Sequence, residues 1–71
     1  MTNLIAIAPK EGKISSYLTN GKEYPIIEWN KKTKQNRANF CIIDDDGEKI
    51  YCTPIGSAHL TELNWTIIEQ P

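Results

Sequence analysis

Apolar residues in this chain come in short bursts divided by polar stretches. No window places them at the three-to-four-residue spacing of an amphipathic helix. The first burst, Leu4-Ile5-Ala6-Ile7-Ala8, reads as a strand closed by Pro9, which has no amide to give to a ladder. Residues 10–20 are polar, with Gly12 and Ser15-Ser16, and predict a long loop; Asn20-Gly21 is a turn dipeptide that tolerates positive φ. Residues 24–29 are aromatic and β-branched and predict one second strand, with Pro25 placing it at an edge or a bulge. Residues 30–37 contain no apolar side chain and predict an exposed, mobile loop. Two more strands are expected at 40–44 and 49–53, and Pro54 and Gly56 end the second of them. Residues 57–63 suit a single helical turn with Ser57 as its N-cap, and 65–69 a last strand with Trp65 and Ile67 facing inward.

Asp45-Asp46-Gly47-Glu48 is the strongest local signal. A type I′ turn centred on Asp46-Gly47 would set Asp44 opposite Lys49, Ile43 opposite Ile50, Ile42 opposite Tyr51 and Cys41 opposite Cys52. In that register Cys41, Ile43, Ile50 and Cys52 face the core, while Phe40, Ile42 and Tyr51 face outward. The cysteines would pair across the strands as free, buried thiols. Five short strands separated by turns predict an all-β fold, a small five-stranded barrel, because closure removes exposed sheet edges. At 71 residues there is room for one domain, spanning 1–71.

Tyr17-Leu18-Thr19-Asn20-Gly21-Lys22-Glu23-Tyr24, followed by Ile26-Ile27-Glu28, resembles the small SH3-like barrels of bacterial prophages and phages. In these, a leucine-threonine-x-glycine-lysine-x-tyrosine loop leads into a strand. Phe40 through Glu48 resembles their next hairpin. The likeness covers roughly half the chain, stops after Pro54, and rests on structural motifs. It implies an SH3-like barrel and a phage or prophage origin.

Composition narrows the function classes. Net charge is −1 and the pI about 5.7, which weighs against a dedicated nucleic-acid binder, usually a basic protein. The opening apolar run is too short for a membrane span and lacks the basic start of a signal peptide. A cytoplasmic protein without a membrane partner is therefore expected.

Candidate chemistry is sparse. Asp44, Asp45, Asp46 and Glu48 are consecutive acids without the alternating spacing of a calcium loop. Cys41, Cys52 and His59 are three scattered ligands where zinc wants four. A Cys–His dyad would need a groove and an oxyanion hole for which so small a domain has little room. No phosphate loop or hydrolase elbow occurs. The expectation is a non-enzymatic binding protein with no metal and no cofactor. Its partner is expected to be a protein, such as a host factor that it inhibits or redirects. The candidate contact residues are Tyr17, Trp29, Phe40, Ile42 and Tyr51, aromatic and apolar types enriched at interfaces. The alternative is a nucleic-acid-binding module using Lys31, Lys32, Lys34 and Arg37, with Trp29 and Phe40 as flanking aromatics.

Overall fold

The computed structural model describes residues 3–61 and 63–70. Among the described residues the bursts yield six strands: β1 (Asn3–Ile7), β2 (Glu23–Pro25), β3 (Glu28–Asn30), β4 (Asn39–Ile43), β5 (Lys49–Cys52) and β6 (Thr66–Gln70). They form two antiparallel sheets, one ordered β2-β1-β6 and the other β3-β4-β5. The fold is all-β, as expected, but the sheets are not closed into a five-stranded barrel.

The difference from five strands begins at residues 24–29. This run is two strands serving two sheets. Ile26 donates its amide to Leu4 of β1 at 3.0 Å, and the next residue, Ile27, donates to Cys41 of β4 at 3.0 Å. The chain thus changes sheets between consecutive residues. Pro25 lies on the edge strand β2, opposite Ile5, where a missing amide is tolerated.

Both sheets contribute to one core. Ala6, Ala8 and Tyr24 meet Phe40, Ile42 and Cys52, with Leu18, Leu60 and Trp65 added from the connections. Trp65 stands just before β6 and sets its ring edge-on to Tyr24 and Phe40, at 5.8 and 5.7 Å between centroids. Ile67 packs on the same side, so the inward face expected for Trp65 and Ile67 is present. The expected helical turn is a 3₁₀ turn at Ala58–Leu60. Ser57 caps it through its backbone alone, its carbonyl accepting from the Leu60 amide at 3.0 Å. The Ser57 hydroxyl is buried and makes no cap bond.

The β4–β5 register is one residue away from the expected one. Phe40 faces Cys52, Cys41 faces Tyr51, Ile42 faces Ile50 and Ile43 faces Lys49. Asp44 lies opposite Glu48, its amide donating to the Glu48 carbonyl at 2.9 Å, which leaves a three-residue loop. Only Gly47 within it has positive φ, at 85°, whereas a type I′ turn would require the same of Asp46. The Asp44 carboxylate selects this turn by accepting the amides of Asp46 and Glu48 at 2.9 and 2.8 Å. Because strand faces alternate, a one-residue slip exchanges them. Phe40 and Ile42 are fully buried in the core, while Ile43 is exposed. Cys41 turns to the other face of the hairpin from Cys52, so the two thiols do not face each other. Lys49 faces Ile43 and reaches Glu28 at 3.9 Å rather than Asp44. This register places Phe40 in the core cluster at the position that the other would give to Cys41, and the larger apolar side chain gains more there.

Candidate partner-binding surface

Two of the acids at the hairpin tip are structural. Asp45 receives Thr19 Oγ1 at 2.6 Å on one carboxylate oxygen, and Lys22 Nζ at 2.6 Å and Tyr24 Oη at 2.9 Å on the other. Its amide donates to the Tyr17 carbonyl at 2.9 Å. The Lys22 hydrogen bond, followed by that from Thr19, holds the Asp45 carboxyl at about 2. Lys22 is raised in turn by its bond to Asp45, and burial raises Tyr24. Thr19, Lys22 and Tyr24 of the Leu18-to-Tyr24 motif therefore converge on the hairpin tip, Asn20 donates instead to the Pro9 and Gly12 carbonyls, and Leu18 enters the core. Asp46 and Glu48 remain exposed. No group of three potential metal-ligating side chains occurs among the described residues.

The cysteines are poor nucleophiles. Burial pushes the Cys52 thiol up to about 12 and raises Cys41, whose sulfur lies 3.1 Å from Glu28 Oε2. Reactivity belongs to the thiolate, which both sites disfavour. Both nitrogens of His59 are engaged elsewhere. Nε2 lies 2.9 Å from the Tyr51 carbonyl, an acceptor only, so it carries the proton. Nδ1 then accepts the Tyr17 hydroxyl, and the two rings meet edge to face.

The structure separates the five expected contact residues. Phe40 and Ile42 lie in the core and offer nothing to a partner, a consequence of the register slip. Tyr17 is half-buried and tied to His59. Tyr51 is exposed on the outward face of β5, with Lys49 Nζ 5.5 Å from its ring centroid. Trp29 belongs to the other face, stacked on Phe40 at 6.0 Å and 14° and still 37% exposed. Trp29 and Tyr51 therefore do not form one surface.

Of the four expected cations, Lys31 and Arg37 line a hollow with Trp29, Lys32 lines a second hollow with Arg37, and Lys34 lines neither. All residues from 30 to 37 are exposed. Thr33 organises the tip of this β3–β4 loop, its amide donating to the Asn36 carbonyl at 2.9 Å and its hydroxyl accepting the Asn36 amide at 2.9 Å. Open hollows lie on both sides of Arg37. One, of about 500 Å³, is bounded by Trp29, Asn30, Lys31, Asn36, Arg37 and Asn39. The other, of about 400 Å³, is bounded by Lys32, Arg37, Ala38, Thr53, Pro54 and Ile55. Ala38, Pro54 and Ile55, which line this second hollow, are not among the contact residues expected from the sequence. The available signal was Ile55 itself, an apolar residue isolated between two strand breakers.

Comparison with family models, curated proteins and solved structures finds no match to this chain. No helix among the described residues is long and apolar enough to cross a membrane.

Proposed function

We propose that this is a small, non-enzymatic binding protein of SH3-like, partly open barrel architecture, encoded by a phage or prophage and working in the cytoplasm. It engages a protein partner through the surface around the basic β3–β4 loop. One observation carries the binding reading: three exposed cations, Lys31, Lys32 and Arg37, line two hollows with exposed Trp29 and Ile55, one on each side of Arg37. Tryptophan and arginine are enriched among residues that dominate interface energetics. The SH3-like reading draws support from the motif at residues 18–24, of which Thr19, Lys22 and Tyr24 meet the next hairpin at Asp45. Two free cysteines on opposite faces of one hairpin suit a reducing compartment.

A second reading, nucleic-acid binding, is favoured by the Trp29 hollow. It combines an aromatic wall with Lys31, Arg37 and the amides of Asn30, Asn36 and Asn39, groups that can stack a base and hold phosphate. Affinity capture from a bacterial lysate at low and high salt, with and without nuclease, separates the two. A protein retained by the wild type after nuclease treatment, and lost with Trp29→Ala or Arg37→Ala, supports the first reading. Capture that vanishes with nuclease and falls steeply with salt supports the second.

A further inference from the structure

We propose that the hollow between Arg37 and Ile55 docks an acidic peptide segment of the partner, with one apolar side chain seated against Ala38, Pro54 and Ile55 and carboxylates over Lys32 and Arg37. The inference rests on the protein-partner reading and names that partner's chemistry. Ile55 is 73% exposed, the most exposed of the large apolar residues among those described. It sits on a fixed ledge. On one side the Pro54 carbonyl accepts the amide of buried Trp65 at 2.9 Å, and on the other the Gly56 amide donates to Asn64 Oδ1 at 2.9 Å. A preformed ledge spares a partner the cost of ordering it. The hollow's volume of about 400 Å³ falls within the size range of small ligand sites.

Charge selects an acidic occupant. Residues 29–43 contain Lys31, Lys32, Lys34 and Arg37 and no acid. The chain as a whole is −1, so the remainder carries −5 (four cations against nine acids). Carboxylates at the loop find complementary potential, which favours encounter and register. A phosphodiester strand repeats its charge along its whole length and would leave this small basic region for an acidic one. It also carries no aliphatic side chain to cover Ile55. A short acidic segment bearing a leucine-like group satisfies both parts of the hollow.

The test is a titration of the ¹⁵N-labelled full chain with a short synthetic peptide of alternating aspartate and leucine, a matched peptide with serine for leucine, and oligothymidine. The expected result is movement of the Lys32, Arg37, Ala38, Thr53 and Ile55 resonances. The leucine peptide should bind about tenfold tighter than the serine peptide, the worth of partly burying one such side chain. Ile55→Ser, at an exposed position, should erase that advantage and leave the remaining spectrum in place. Equal affinity for the two peptides overturns the apolar seat but keeps the loop as a protein-binding surface. No movement at the loop with either peptide overturns both. Tighter binding of oligothymidine, centred on Trp29, overturns the acidic-peptide proposal in favour of nucleic acid.

Discussion

Two polar connections join neighbouring strands of the same sheet, and they use their charges in opposite ways. In the β4–β5 turn, every amide from residue 44 to 48 donates a hydrogen bond: to the Glu48 carbonyl, the Tyr17 carbonyl, the Asp44 carboxylate twice, and the Asp44 carbonyl. Asp45 then ties this turn to Thr19, Lys22 and Tyr24. In the β3–β4 loop, Thr33 closes one local turn and the four cations stand exposed. The acidic turn uses its charge to hold the fold together. The basic loop leaves its charge exposed to solvent. Charge density alone does not distinguish a binding surface from a structural clasp; the partners of each charge do.

The largest expected effect tests the register that the acidic turn imposes. Ile42→Ala should destabilise the protein by roughly 2–5 kcal/mol, the range for emptying a buried aliphatic site. Ile43→Ala, at an exposed position, should stay within about 0.5 kcal/mol. Urea unfolding of both variants measures this, and a reversal of the two would restore the alternative register.

Asp44→Ala comes next. It strips the acceptor from two turn amides in a side chain only 8% exposed. At about 1 kcal/mol per hydrogen bond, the expected loss is about 2 kcal/mol. Thermal unfolding would reveal it, and an unchanged midpoint would mean that Gly47 alone directs the turn.

Acid should loosen the same clasp. The Asp45 carboxyl is depressed to about 2 in the folded chain, against about 4 for an unfolded carboxyl. Its stabilisation is therefore complete above about pH 4 and is lost as pH falls towards 2. Asp45→Asn should be less stable than the wild type at neutral pH, and the gap should narrow across that window. A gap constant down to pH 2 would contradict the Lys22 pairing.

The smallest effect belongs to the basic loop. Replacing Lys31, Lys32 and Lys34 by glutamine should change stability by no more than about 0.5 kcal/mol per site, because the side chains are solvated. A large loss on thermal unfolding would give this loop a structural role and remove the contrast with the turn.

The contrast also marks how far the sequence could be read. Strand positions followed from apolar bursts and from Pro9, Gly21 and Pro54. The loop at 30–37 was legible because it has nothing apolar to bury. The hairpin register was not, since Asp-Gly suits both a two-residue turn and a three-residue loop with glycine last. The deciding facts were the reach of the Asp44 side chain to two amides and the larger gain from placing Phe40 rather than Cys41 in the core cluster. The split at Ile26-Ile27 was hidden because a continuous apolar run looks the same whether it serves one sheet or two. Of the expected contact residues, Trp29 lies beside Lys31 and Arg37. Phe40 and Ile42 were misplaced by the same register error. Ile55 was passed over because isolated apolar residues between breakers carry no periodicity.

Amide hydrogen exchange across the native chain tests the division of labour most directly. Slow exchange is expected for the amides of residues 44–48, at rates nearer those of β4 than those of the other connections. Fast exchange is expected for Lys31, Lys32, Lys34 and Arg37. Comparable, fast exchange in both segments would contradict the claim that the acidic turn is the clasp and the basic loop the free surface.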